Sequence, residues 1–164
     1  YRQPALDRRL IIERTRAEAR LISMARRAGV PTPVITDVTA DTLHMERVQG
    51  KLLREAMGET SLQEAGRTVG LLHAAGIVHG DLTPGNMVMR DGRCVLIDFG
   101  LAAVSNELES RGVHVHVLFQ TIASMTDDFP GLREAFCRGY QETLPGASEV
   151  LEREREIEQR GRYL

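Results

Sequence analysis

The feature that most constrains this chain is a hairpin with a polar loop at each end. Asn86-Met87-Val88-Met89 and Cys94-Val95-Leu96-Ile97 are apolar runs joined by Arg90-Asp91-Gly92-Arg93, and Asp-Gly between such runs is the strongest short-range turn signal. His79-Gly80-Asp81-Leu82-Thr83-Pro84-Gly85 leads into the first run, and Asp98-Phe99-Gly100 follows the second. Alone, Asp-Phe-Gly fits a turn after a buried strand and Asn86 fits a loop cap. Together they set Asp81, Asn86 and Asp98 around one hairpin, at separations that suit metal and phosphate chemistry.

The spacing H-x-D-L-x-x-x-N followed by D-F-G resembles the catalytic and metal loops of the protein-kinase fold. Phosphoryl transfer needs divalent metal across the phosphates, a held nucleophile and compensation of charge. On that likeness Asp81 accepts or orients the proton of the attacking hydroxyl or water. Asn86 turns its side-chain oxygen toward one metal, and Asp98 supplies a carboxylate at the end of an apolar strand.

Composition sets the limits. The 164 residues are enough for one domain or two small lobes, with 42% hydrophobic and 27% charged residues and a net charge of −2. That balance indicates a soluble globular chain without the overall basic footprint of nucleic-acid binders, so any RNA contact is local. No apolar run is long enough to span a membrane and no signal peptide is visible. Cys94 and Cys137 lie far apart without metal-type spacing, and Cys94 falls in an apolar strand. A reducing cytoplasmic compartment is expected. The first residue is Tyr1, not Met, as in a fragment or a processed piece.

In chain order, Ala5 to Ala28 forms a helix with Leu6, Leu10, Ala17, Leu21 and Met24 at helical spacing, stopped by Gly29 and Pro31. Glu18 lies on it among Arg14, Arg16 and Arg20. It is the candidate for the small-lobe glutamate that in kinases fixes a strand lysine on the phosphates; a solvated charge is the alternative, and Glu13 is the competing choice. Pro33–Val38 and Thr42–Val48 are expected strands. The backbone near Glu46 and Val48 is placed at the hinge between lobes, where it would meet the adenine edge. Lys51–Met57 is expected as a short helix. Ser61-Leu62-Gln63-Glu64 has capping-box form and opens a helix through Ala75 with Leu62, Ala65, Val69 and Leu72 buried. His73 is a packed or surface histidine, and His79 is structural. After Gly100, Leu101–Gly112 has nothing like A-P-E. Helices follow over Val113–Ser124, Pro130–Glu142 (Leu132, Phe136 and Tyr140 on one side) and Val150–Gln159. His114 and His116, two apart, point to different sides of a helix. Glu149 with Arg153 and Glu156 with Arg160 are expected to pair on a solvated face.

Tyr1-Arg2-x-Pro4-x-Leu6-Asp7, Arg14-Thr15-Arg16-x-Glu18-Ala19, His79-Gly80-Asp81-Leu82-Thr83, Ile97-Asp98-Phe99-Gly100-Leu101 and Arg160-Gly161-Arg162-Tyr163 carry a resemblance from end to end. The chain resembles the small atypical serine/threonine kinase of the KEOPS complex. The resemblance implies an α+β, minimal two-lobed kinase-like fold, with a partial N-lobe over 1–48 and a reduced helical C-lobe over 49–164. It implies ATP with Mg²⁺ or Mn²⁺, used in hydrolysis or serine phosphorylation, including autophosphorylation. It also implies a metal-containing threonylcarbamoyl transferase and other KEOPS subunits as partners, with tRNA met through the complex. By that likeness Asp81 is the catalytic aspartate, Asn86 and Asp98 hold metal, Glu18 is the helix glutamate, and Arg160 and Arg162 form a functional basic tail, the alternative being a frayed terminus.

Three departures stand out. The family's glycine-bearing phosphate loop and strand lysine precede the position of Tyr1 and are not in this chain; a fusion with the transferase, as in some archaea, would suit such a start. Gly112-Val113-His114 stands where the family has Ala-Val-Asp, an aspartate that supports the catalytic loop, so altered support is expected. Thr83-Pro84-Gly85 is a minor variation. Two rival readings are a small-molecule phosphotransferase of the aminoglycoside or choline-kinase type and a non-enzymatic pseudokinase docking module. The first needs a long helical region after the metal loop, and only 64 residues follow Gly100 (164 minus 100).

Overall fold

The computed structural model of the protein describes residues 4–161. Helix α1 (Pro4–Arg27) opens with proline, carries Asp7 in its first turn and ends on Arg26 and Arg27, the charge order that complements a helix dipole. Gly29 takes φ +87°. Its N–H bonds the Arg26 carbonyl and the Val30 N–H that of Ala25, both at 3.0 Å, a Schellman stop in which Val30 and Ala25 are buried together. The apolar spacing along α1 has two fates: Leu21, Ile22 and Ala25 enter the core, while Leu6, Leu10 and Ile11 are exposed.

Strands β1 (Ile35–Val38) and β2 (Leu43–Met45) form an antiparallel pair. Both fall short of the expected strands, and residues 46–48 lie outside them. The expected helix over Lys51–Met57 is instead strand β3 (Lys51–Leu52) followed by a single 3₁₀ turn, Leu53–Glu55. Pairing of Lys51 with Met89 and Leu52 with Val88 overrides the local helix preference of that run.

Helix α2 (Glu59–Ala74) starts two residues before Ser61 on an extended Gly58. The capping box is therefore not formed. The Ser61 hydroxyl reaches back to the carbonyls of Ala56 (2.7 Å) and Gly58 (3.0 Å) instead. Strand β4 (Ile77–Val78), a 3₁₀ turn at Pro84–Asn86, and strands β5 (Met87–Arg90), β6 (Arg93–Leu96) and β7 (Ala103–Val104) follow. β5 and β6 make the expected hairpin, with Met87 opposite Leu96 and Arg90 opposite Arg93. Asp91 (φ +50°) and Gly92 (φ +75°) are both left-handed at its tip, as a type I′ turn requires. β3 adds to this hairpin and β4 pairs with β7.

Three helices complete the fold: α3 (Leu108–Ala123), α4 (Phe129–Thr143) and α5 (Ala147–Gly161). α3 begins five residues earlier than expected and so takes up most of the segment after Gly100. α4 lies backbone against backbone on α2: a Cβ on Gly139 would stand 1.8 Å from the Gln63 carbonyl, and one on Gly66 2.1 Å from that of Phe136. The core built around this contact includes Leu62, Val69, Leu72, Phe99, Leu118, Phe136 and Tyr140. The expected pairs on α5 are replaced by others: Arg153 meets Glu109 (3.5 Å) and Glu156 (3.0 Å), and Arg160 meets Glu109 (3.7 Å). No helix among the described residues is long and apolar enough to cross a membrane.

Candidate active site

The left-handed Gly76 (φ +72°) turns the chain from α2 into β4, which delivers the loop beginning at His79. The His79 ring is buried, meets the Ile97 carbonyl through Nε2 at 2.9 Å and rests edge-on against Phe99. It therefore ties the first loop to the second, the structural role expected for it. Burial pushes its pKa down, while the Ile97 carbonyl and the carboxylates of Asp81 and Asp98 pull it back.

Within the first loop, Asn86 folds back on Asp81. Its Nδ2 donates to Asp81 Oδ2 (2.8 Å) and to the Asp81 carbonyl (2.9 Å). Both bonds use the amide nitrogen, so the carboxamide oxygen is the end that can meet a hard cation. The Ile97 N–H donates to the Asn86 carbonyl at 3.0 Å, which sets Asn86 directly beside the residue preceding Asp98. Asp98 has φ +63°, uncommon for a residue with a side chain and frequent at functional sites. Its Oδ1 accepts the Gly100 N–H at 3.3 Å, which helps to hold that turn. Asp81 and Asp98 are both exposed.

Glu18 comes to the same place from α1. A Cβ on Gly100 would have Asp98 Oδ1 at 3.3 Å and Glu18 Oε2 at 4.0 Å, so the two carboxylates border one glycine. Burial raises the Glu18 pKa, Asp98 raises it further, and the Phe99 backbone N–H draws it partly back. The only lysine in the sequence is Lys51, which pairs with Met89 on the β3–β5 edge and is not a partner for Glu18. Glu18, Asp98, Pro33, Met45, Glu46, Arg47, Val48, Val88 and Ile97 line one cleft of about 430 Å³. Within this lining the Glu46 N–H is committed to the Val34 carbonyl (2.8 Å), and the Glu46 carboxylate pairs with Arg90 (2.9 Å). Glu46 and Val48 thus both line the cleft.

Of the remaining expected residues, Arg160 lies at the end of α5 against Glu109, away from this cleft, and Arg162 lies outside the described residues. His114 occupies the position expected for the loop-supporting aspartate. Its Nε2 accepts the N–H groups of His79 (3.0 Å) and Gly80 (3.2 Å), so the support is present and comes from a neutral ring. His73 is packed, one of the two states expected for it, and a second buried polar centre, Glu154, carries no expectation from the sequence. His73 contacts both His114 and Tyr140. Glu154, 1% exposed, holds His116 (3.1 Å) and Arg133 (2.5 Å). Helical spacing carries the signal for each, since His73 follows Val69 by four residues and Glu154 follows Val150 by four, each on a buried stripe.

The family profile described as RIO domain matches residues 2–113. The chain belongs to the RIO-domain family. Over all 164 of its residues it is 64% identical to a protein of Methanoculleus marisnigri named "Probable bifunctional tRNA threonylcarbamoyladenosine biosynthesis protein", covering 31% of that protein. It is 58% identical to the protein of the same name from Methanospirillum hungatei, covering 32%. The chain thus spans about a third of the length of these curated relatives. It is also 46% identical to the "Probable serine/threonine-protein kinase BUD32 homolog" of Archaeoglobus fulgidus, covering 84% of it, and so the RIO domain here is of the Bud32 type. Among solved structures it resembles WaaP, determined in complex with acyl carrier protein, with a TM-score of 0.64 at 18% identity over 88% of this chain and 76% of that one. That likeness carries the kinase-like α+β fold.

Proposed function

We propose that this chain is the ATP-using kinase or ATPase module of a cytoplasmic tRNA threonylcarbamoyladenosine system, acting beside a metal-containing transferase subunit and meeting tRNA through the assembly. The names of the relatives support that setting. The observation that carries the chemistry is that two side-chain pairs, one in each loop region, are joined by the Ile97 N–H bond to the Asn86 carbonyl. Asn86 clamps Asp81, and Asp98 and Glu18 share Gly100. We place the border between lobes at 48/49, where β1–β2 ends and β3 joins the β5–β6 hairpin.

The donor set fits a small divalent ion. Asp98 and Asn86 offer hard oxygens, and no three His, Cys, Asp or Glu side chains among the described residues converge into a closed cage. Mg²⁺ favours this arrangement, because it takes one or two protein oxygens and completes its shell with phosphate and water. When bound, the ion neutralises charge on the transferring phosphate. The protein residues do the rest. The Glu46 carbonyl can accept from the adenine amino group, and the Val48 N–H, two residues on, can donate to the adjacent ring nitrogen. Asp81, pinned by Asn86, holds the acceptor hydroxyl and takes its proton as that oxygen bonds to the γ-phosphorus and the bond to the β-phosphate oxygen breaks. Water in place of the hydroxyl gives hydrolysis. Glu18 borders the cleft beside Asp98, where it adds negative charge next to the metal-holding carboxylate.

In the complete protein, Asp98→Asn should lower Mg²⁺-dependent ATP turnover at least about 100-fold, the loss expected on removing one preorganised electrostatic contact. Asp81→Asn should do likewise without weakening ATP binding. Turnover unchanged in Asp98→Asn would remove that residue from the metal site and favour a docking role without catalysis.

A further inference from the structure

A backbone N–H can only donate, and this fixes the ring protons of two buried histidines behind the catalytic loop. His114 Nε2 lies 3.0 Å from the His79 N–H and 3.2 Å from the Gly80 N–H, so it must present a lone pair. A neutral His114 then carries its proton on Nδ1, 2.8 Å from His73 Nε2, which must accept. The His73 proton is thereby placed on Nδ1, 2.6 Å from the Tyr140 hydroxyl oxygen. Burial keeps both rings neutral, His114 down to a pKa of about 3 and His73 well below the ordinary range.

We propose that His73 and Tyr140 are positioning residues: by accepting from His114 Nδ1–H and from His73 Nδ1–H in turn, they stabilise the His114 tautomer whose lone pair holds the His79 and Gly80 amides, and thereby the backbone from which Asp81 projects. The chain of contacts runs from α4 through α2 and α3 to the loop. Its last link is a tight one, because Gly80 has φ +82° and a Cβ there would stand 2.1 Å from the Leu101 carbonyl. The loop therefore has little room to find another seat. If the His114 proton moved to Nε2, it would point at two N–H groups, and the loop would have to shift together with Asp81. A carboxylate could accept both N–H groups in any protonation pattern of its neighbours. An imidazole can do so in one tautomer only, and that is what the second histidine and the tyrosine supply.

The effect on turnover rests on the function proposed above; the tautomer does not. In the complete protein labelled with ¹⁵N at histidine, long-range ¹H–¹⁵N spectra should show both His114 and His73 protonated on Nδ1, and the His79 and Gly80 amides should exchange slowly. Tyr140→Phe keeps the ring and removes the acceptor at the far end. It should move the His73 proton to Nε2, lower kcat for ATP at least tenfold and leave KM within about twofold. Adding His114→Asp to that variant should restore kcat to within about threefold of the unaltered protein. A His114 proton on Nε2 in the unaltered protein would overturn the proposal even if no variant folds. So would a Tyr140→Phe protein with unchanged His114 signals, or a kcat loss that His114→Asp does not rescue. If ATP turnover is absent altogether, the tautomers and amide exchange still decide the matter.

Discussion

Taking the 164-residue chain from pH 7.5 to pH 5 should destabilise it by about 2 kcal/mol through His114 alone. The ring is held at a pKa of about 3 by burial and by the neighbouring His79, against about 6.5 when unfolded. Folding therefore excludes a proton that the unfolded chain binds. Stability is full above the unfolded value, falls as pH drops through the interval from about 6.5 to about 3, and levels off below it. At about 1.4 kcal/mol per pH unit, the 1.5 units between 6.5 and 5 give the figure above. His73 and His79, both lowered chiefly by burial, add to the loss with the same sign. Glu18, whose pKa is raised, opposes them weakly because it is only half-buried. Urea unfolding at pH 7.5, 6 and 5 reads the effect as a falling midpoint at constant m. His114→Asn should remove one proton from the slope, about 1.4 kcal/mol per unit. Stability that is flat or rising between pH 7.5 and 5 would show that these rings are not buried neutral, and the account of the loop support would fail with it.

Gly139→Ala should destabilise the chain by about 3 kcal/mol, at the upper end for overpacking, because a Cβ would stand 1.8 Å from the Gln63 carbonyl and the α2–α4 backbones would have to part. A fall in Tm of roughly 6–12 °C checks it, and an unchanged Tm would refute the close crossing. Arg133→Met should cost about 3–5 kcal/mol by leaving the buried Glu154 carboxylate short of its cation. The double change Arg133→Met with Glu154→Leu should recover most of that loss, and denaturant unfolding of both variants decides the point.

Much of the site is local and therefore visible in the sequence. The Asp91-Gly92 turn needs two left-handed residues and has them. The hairpin then brings Asn86 beside Ile97 without help from the rest of the chain. Gly29 ends α1 where a left-handed residue is required. What the sequence concealed depends on distant partners. Lys51-Leu52 has helix-forming neighbours but is claimed by β5. The Arg and Glu residues of α5 suggest pairs four apart along the helix, yet Arg153 pairs three apart with Glu156 and also meets Glu109 on α3, as does Arg160. Glu154 occupies a buried-stripe position that polar identity argues against, and it is tolerated because other helices satisfy it. His114 was expected to alter the loop support. It accepts the His79 and Gly80 amides through a lone pair, a role that the packing of His73 on α2 and Tyr140 on α4 makes possible.

The most direct measurement is anomalous diffraction from the complete protein crystallised with Mn²⁺ and a non-hydrolysable ATP analogue. The account predicts a manganese peak bound by an Asp98 carboxylate oxygen and the Asn86 side-chain oxygen, with Asp81 facing the γ-phosphate. A nucleotide seated elsewhere, or manganese bound without either residue, would contradict it.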